Sequence, residues 1–293
     1  SKYLLRSTEV MFTINPFAEM SAYIPAAVMQ AYIVVMVLFV IGGTVLDMLH
    51  KKSAQYFFEN AKKAEKAAKR TVSGGEKASL AIQTLTNEVL TSAEFANPKR
   101  RISHIFTMYG FILFVATTAI MIFAYPTPAT PTPGIIPLLW HVGALMLCFG
   151  GYWFWFSIRV DVNSEAKKWY KLDRADLFVV SLLMTCTFAL IWSVLQSAGV
   201  SGLSTLAFVL FILSSTVLFV GVYFSKFAHM FFKPAAAYQK RVTRADGSNE
   251  NLPYDYDLSD PDVHKRFPDI PEYMGKNPPN MGLGIKRESP NHY

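Results

Sequence analysis

The stretch Ile105–Tyr125, IFTMYGFILFVATTAIMIFAY, contains no charged residue and is long enough, as a helix, to cross a bilayer. A hydrocarbon core about 30 Å thick needs roughly 20 apolar residues at about 1.5 Å each. Four further windows are similarly apolar: Tyr23–Leu49, Ile136–Ile158, Leu177–Ala198 and Leu203–Phe227. One such window could be a buried core helix. Five in 293 residues, separated by charged or Pro/Gly-rich loops, predict an all-α integral membrane bundle. Composition agrees: 52% of residues are hydrophobic, mean hydropathy is +0.26, and 17% are charged, against about 25% in an average soluble domain.

The loops predict the orientation. Net charge is +7, and the cations sit in blocks. Loop one, 50–103, carries KK, KKAEKAAKR and PKRR; loop three, 159–176, carries KKWYKLDR; the C-terminal segment opens with KFAHMFFKPAAAYQKRVTR. The other two loops, PTPATPTPG and QSAGVSG, carry no charge. Lys and Arg stay on the cytoplasmic side, so the N-terminus is expected outside and the C-terminus in the cytoplasm of a cell with an inner (cytoplasmic) membrane. The opening, SKYLLRSTEVMFTINPF, lacks the basic head, apolar core and small-residue site of a signal peptide.

Three regions follow: an N-terminal segment (1–22), a five-helix membrane domain (23–242) that includes loop one, and a tail (243–293). Within loop one, AQYFFENAKKAEKAAKR and EKASLAIQTLTNEVL read as a helical hairpin broken at Ser73-Gly74-Gly75. It lies on the cytoplasmic surface, with a docking role as an added reading. The tail is rich in Pro, Gly, Asp and Asn and cannot bury a core of its own. Its aromatics, Tyr254, Tyr256, Phe267 and Tyr273, are spaced like anchors of an extended arm that straps a partner subunit, with a disordered terminus as the plainer alternative.

The two cysteines, Cys148 and Cys186, both lie in apolar runs, and neither C-x-x-C nor C-x-x-C-H occurs. Thiolate clusters and covalently attached haem are therefore not expected. Of the six histidines, His264 and His292 lie in the tail, while His50, His104, His141 and His229 lie at or in membrane segments. Ionisable residues at that depth are functional candidates. His104 opens the second helix and His229 closes the fifth, both toward the cytoplasmic side. Two imidazoles at equal depth on different helices suit a six-coordinate haem b. Arg100, Arg101 and Lys226 are candidate partners for its propionates. Two interfacial histidines without a ligand are the plainer alternative.

RRISHIFTMYGFILFVATTAIMIF and YFSKFAHMFFKP resemble segments of the cytochrome b membrane subunits of the respiratory nitrate reductase gamma family. The resemblance covers about Ile24–Lys233 and is closer to the heterodisulfide-reductase-like and quinone-interacting oxidoreductase branch. It extends to the short haem-b-type membrane anchors associated with adenylylsulfate reductase in sulfur oxidisers. It implies five helices, an outside N-terminus and a haem b between the second and fifth helices, with His104 and His229 as the pair on the cytoplasmic side. Two departures bear on an outer haem. The family's second histidine on helix two is replaced by Phe114, and STLAFVLFILSS in helix five has none. The outer haem is therefore expected to be missing. His141 is expected to be buried and satisfied, or else a quinone or haem contact. His50 is the alternative axial ligand.

These features predict an electron-transfer subunit, non-catalytic or quinone-reactive. It would pass electrons between cytoplasmic flavin or iron–sulfur oxidoreductase subunits, adenylylsulfate reductase among the candidates, and the quinone pool, in sulfur-compound oxidation. Tyr109, Tyr223 and Lys226 are the candidate quinone contacts. The alternative is a haem-free membrane scaffold of a multi-subunit complex. A transporter is disfavoured: no internal repeat is visible, and charges within the membrane windows are scarce.

Overall fold

The computed structural model describes residues 11–50, 52–93, 95, 97–160, 168–250 and 260–269. Along the chain the helices are α1 (Pro16–Met20), α2 (Ala26–His50), α3 (Ser53–Lys66), α4 (Gly74–Gln83) and α5 (Pro98–Ala124). They continue as α6 (Ile135–Trp153), α7 (Leu177–Ser197), α8 (Ser201–Val220), α9 (His229–Ala245) and α10 (Pro261–Arg266). π-helical turns extend α4 over Thr84–Leu90 and α6 over Phe154–Ile158, and a 3₁₀ turn, Gly221–Phe224, extends α8. Five helices are long and apolar enough to cross a membrane: α2, α5, α6, α7 and α8. No strand occurs among the described residues. The chain is a multi-pass, all-α membrane bundle.

Local chemistry sets the helix ends. Pro98 starts α5 with Asn97 as its cap, the Asn97 side chain accepting from Lys99 N at 3.0 Å. α7 stops at Gly199, φ +71°, where Gly199 N–H donates to Gln196 O and Val200 N–H to Leu195 O. That pair of bonds is a Schellman closure, and the positive φ is one that glycine adopts without strain. Inside the membrane, side-chain hydroxyls donate to carbonyls one turn back: Thr118 to Phe114 O, Thr185 to Ser181 O and Ser215 to Phe211 O. Their polarity is thus satisfied within their own helices, as a lipid environment demands.

Helix packing rests on absent side chains. A Cβ on Gly110 would lie 2.8 Å from Leu147 N and 2.9 Å from Gly143 O; on Gly143, 2.8 Å from Phe114 N; on Gly150, 2.6 Å from Ser103 O. The three glycines bring the α5 and α6 backbones into direct contact, as small residues do between membrane helices. α7 and α8 complete the core with Trp192, Cys186, Ala189, Phe208 and Phe211. α2 stands apart: only 11% of its most apolar window is buried, against 33–44% in the other four.

The two ends of the bundle are those that loop charge sorts. At one, Asn15 Nδ2 donates to Tyr125 O and Thr132 Oγ1, and Gln196 Nε2 donates to Pro16 O, each at 3.0 Å. The N-terminal segment and the uncharged loops therefore share a face. At the other, His50 meets Tyr223 (ring centroids 5.9 Å), the Arg174 guanidinium lies 5.8 Å from the Phe224 ring, and Lys69 N–H donates to Asp246 O at 2.9 Å. The described basic residues of loops one and three and of α9 lie there. Loop three is closed on this face by Arg159, 7% exposed, which pairs with Asp176 and lies 4.1 Å over the Trp155 ring.

Three expectations need correction. The fifth helix does not run through Phe227: regular helix ends at Val220, a 3₁₀ turn follows, and Ser225 adopts extended backbone (φ −113°, ψ −177°). His229 therefore opens α9 rather than closing α8. Second, α3 and α4 do not form a hairpin of their own; α9 packs against both and makes a three-helix unit. Ser73 caps α4, and Arg70 makes a bidentate pair with Glu76 across the break. The Arg70 bond holds the Glu76 carboxyl below its ordinary value, so the small stabilisation from this exposed pair is present at neutral pH and fades as pH falls through the carboxyl's titration. Third, the tail boundary at 243 falls inside α9, and residues 261–266 are helical with Val263 buried rather than extended. Tyr254, Tyr256 and Tyr273 lie outside the described residues.

Gly143→Val should separate α5 from α6, because the atoms it would strike are backbone. The expected loss is about 1–3 kcal/mol, read as a lower unfolding midpoint in detergent. Gly42→Ala, where a Cβ meets nothing within 4 Å, should leave the midpoint unchanged. Equal midpoints for the two variants would refute the contact.

Candidate functional site

His104 lies near the basic end of α5, under a connection that the neighbouring residues strap down. Arg101 Nε donates to Thr91 O at 2.8 Å, and Tyr109 O–H donates to Leu90 O at 2.7 Å. Between these two bonds, Ser92 Oγ lies 2.9 Å from His104 Nδ1. Ser92 is 1% exposed and held at φ +50°, a left-handed conformation that costs a non-glycine residue about 1–2 kcal/mol. The fold accepts that strain to put a hydroxyl on one nitrogen of one imidazole. Phe95 lies against the His104 ring at 4.9 Å, and Lys233 Nζ lies 5.1 Å from the Phe95 ring centroid.

His104 faces a cavity of about 340 Å³ bounded by Phe95, Phe111 of α5, Leu182 of α7, and Met230 and Lys233 of α9. A second chamber of about 510 Å³ lies between α2, α5 and α8 and shares Phe111 and Met230 with the first. The hydroxyls of Thr118, Thr185 and Ser215 that line it all donate to backbone carbonyls. The first cavity has a polar end and the second is apolar. Glu88, on the rim of the first, pairs with Arg241 at 2.8 Å. Among the described residues no ion pair joins Lys233, so the rim carries net positive charge.

The remaining expected residues fall elsewhere. His229 is the first residue of α9; its side chain lies outside the described residues, but the next residue, Met230, lines both cavities. Arg101 and Tyr109 hold the strap rather than a propionate or a quinone. Lys226 is exposed on the turn before α9 and lines neither cavity. Tyr223 packs on His50 and on Phe224 (centroids 4.9 Å) and also lines neither. His50 is exposed at the end of α2, away from His104's cavity. His141 is 1% exposed, with Pro137 O at 2.7 Å from Nδ1 and Ser193 Oγ at 2.8 Å from Nε2. Both nitrogens are occupied, which matches the first-ranked expectation for this residue.

Sequence reading passed over Ser92, Phe95, Met230, Lys233 and the buried Asp47 of α2. Lys233 follows His229 by four residues, one helical turn. Pro234 concealed the helix that makes this spacing meaningful.

Do these residues suit a haem? A metal-bound imidazole is commonly oriented by a hydrogen bond at its other nitrogen, and Ser92 provides that bond at Nδ1. The cavity is apolar apart from its cationic rim, and Lys233 is placed for a carboxylate. The second axial donor would come from the first turn of α9, at His229. On those counts the donor set fits. Toward the opposite end, Phe114 stacks on Trp140 (5.2 Å, 24°) and Trp192 on Phe211 (5.8 Å, 12°), with Phe17 against Trp140, Trp192 and Phe211. These rings form the packed core there, beside the chamber that Phe114 and Phe211 also line.

Comparison with known protein families, with curated proteins and with solved structures finds no match to this chain.

Ser92→Ala should remove the His104 bond while keeping the strained backbone, costing about 1–2 kcal/mol. Ser92→Gly loses the bond but relieves the strain. Unfolding midpoints should rank native, then glycine, then alanine; alanine equal to native would show that Ser92 does not hold the ring.

Proposed function

We propose that the chain is the membrane subunit of an oxidoreductase complex in the cytoplasmic (inner) membrane. It carries electrons between a soluble flavin or iron–sulfur partner on the basic face and the quinone pool, through one haem b. The supporting observation is His104: a single imidazole on a membrane helix, fixed at Nδ1 by a buried, strained serine, facing a cavity that the first turn of α9 also lines. When bound, a haem with two protein ligands supplies electron transfer rather than oxygen activation.

The chain's own residues do the rest. His104 of α5 and His229, the first residue of α9, would hold the haem iron. Ser92 sets the tautomer and orientation of the His104 ring. Lys233 takes the propionate role that Arg101 and Lys226 were expected to share, since Arg101 is turned to Thr91 O and Lys226 lines neither cavity. The strap, with Phe95 over His104, keeps water from the cavity on its basic side. The 510 Å³ chamber gives a lipid-soluble quinone an apolar approach as far as Phe111 and Met230. An adenylylsulfate-reductase-type partner, and with it sulfur-compound oxidation, is supported by the family resemblance of the helix-two and SKFAHM segments.

Reduced-minus-oxidised spectra of the purified native complex test this directly. A b-type band should be present, be lost in His104→Ala and in His229→Ala, and persist in His50→Ala and His141→Ala. A band that survives both of the first two substitutions overturns the ligand assignment. No band in correctly assembled protein leaves the haem-free scaffold as the reading.

A further inference from the structure

On the basic face, α3, α4 with its π turn, and α9 form one unit with α9 as its central rib. Arg241 of α9 reaches Glu88 at 2.8 Å and Gln83 at 3.3 Å, and Asp246 O accepts from Lys69 N and Arg70 N at 2.9 and 3.2 Å. α9 starts beside the buried Phe227 and Ala228, and its 17 residues carry its last turn about 25 Å from its first. The inward faces are filled by Ala64, Val72, Thr84 and Thr243.

The outward faces are unlike those of ordinary water-facing helices. Ile82 is 64% exposed and Leu85 55% exposed, and Ala78 precedes them at helical spacing, so the three form an apolar stripe on α4. The same three helices carry exposed cations: Lys62, Lys63 and Lys66 on α3, Lys77 on α4, and Lys240 and Arg244 on α9. Of the acids on these elements, Glu76 and Glu88 are already paired with Arg70 and Arg241, and Glu59 and Glu65 are exposed. An exposed apolar stripe on a unit with an excess of exposed cations complements a partner of opposite pattern: an apolar groove beside carboxylates.

We propose that this three-helix unit is the docking surface for an acidic soluble protein, whose groove receives the Ala78–Ile82–Leu85 stripe and whose carboxylates meet the exposed lysines of the same unit. The inference rests on the reading above, which makes that protein the flavin or iron–sulfur subunit. Anionic lipid is the other source of negative charge. Attraction to a lipid surface decays within about 8 Å at physiological ionic strength. The cations lie in the last two turns of α3 and α9 and the first turn of α4, and the lipid alternative is an outcome of the test.

The test uses the native complex purified from membranes through a tag on this chain. A carbodiimide, which joins lysine directly to carboxylate, should link Lys62, Lys66 or Lys77 to Asp or Glu of one soluble subunit, identified by mass and by flavin or iron–sulfur absorbance. Ile82→Asp with Leu85→Asp, and separately Lys62→Glu with Lys63→Glu and Lys66→Glu, should each lower the recovery of that subunit by on the order of tenfold. Membrane integration and any b-type spectrum should be unchanged. Wild-type recovery in both variants overturns the docking surface, as do cross-links confined to this chain's own carboxylates. Quenching of a fluorophore on Ile82→Cys by nitroxide-bearing lipids assigns the stripe to the membrane and likewise overturns it. The two readings fail separately. A missing b-type band with docking still sensitive to these substitutions removes only electron transfer; a normal band with insensitive docking removes only this surface.

Discussion

The basic half of the molecule hangs on one buried ring, that of Phe227. It is 2% exposed and meets Phe178 of α7 at 5.4 Å, Phe111 of α5 at 6.1 Å and Phe219 of α8 at 6.1 Å. Edge-on aromatic contacts contribute about 0.5–1.5 kcal/mol each beyond their buried area. Had α8 simply continued, the chain would have left the bundle after Phe224. Extended backbone at Ser225, with its Oγ accepting from Phe227 N at 3.2 Å, turns the ring back among the helices. α9 consequently begins beside the buried Phe227 and Ala228. Met230 and Lys233 then reach the cavity under His104, and Arg241 reaches α4. The cavity, its cationic rim and the three-helix unit are consequences of a single reversal of direction.

Two kinds of polar group coexist in this membrane domain, and the structure separates them by what their hydrogen bonds accomplish. Thr117, Thr118, Ser181, Thr185, Ser214 and Ser215 return their protons to their own helices. His141 is likewise closed, bonded at both nitrogens in a setting of aromatic rings. Ser92 and His104 differ because their bond joins two segments and is made at the expense of backbone strain. Strain of this kind persists only where surrounding contacts over-determine it; here Arg101 and Tyr109 hold Thr91 and Leu90 just before Ser92, and Phe95 N–H donates to Ser92 O just after it. Two residues that resemble ligand-binding groups in the sequence are thus the fasteners of the group that faces the cavity.

Much of the architecture was legible because lipid imposes a simple rule on composition. Each apolar window became a membrane helix with ends shifted by a few residues, and the charged loops gathered on one face. Legibility failed where hydropathy is silent. Leu203–Phe227 reads as one continuous window because Ser225 is only mildly polar, and nothing local marks its extended backbone. Arg101 and Tyr109 looked available because the residues that take their hydrogen bonds lie about ten and nineteen positions upstream, in backbone carbonyls that any sequence would supply. Ser92 carries no signal at all: its importance lies in a positive φ. His104 was legible because an imidazole at the edge of a membrane helix is conspicuous in itself.

α2 buries little beyond Met29, Met36 and Asp47. It touches the bundle closely at Gly43, where a Cβ would meet Val222 Cβ at 3.0 Å, and through Tyr32 O–H, 3.1 Å from Thr216 Oγ1. Elsewhere the 510 Å³ chamber holds it off. Stability within a protein is distributed unevenly, and units with few buried contacts open with the smallest free energy. Thus α2, with the least buried surface of the five, is the membrane helix expected to part from α5–α8 before global unfolding. In hydrogen-exchange terms its mid-helix amides sit on the lowest rung among the membrane helices. The same looseness makes the seam beside α2 the threshold across which hydrocarbon from the bilayer and the protein interior exchange.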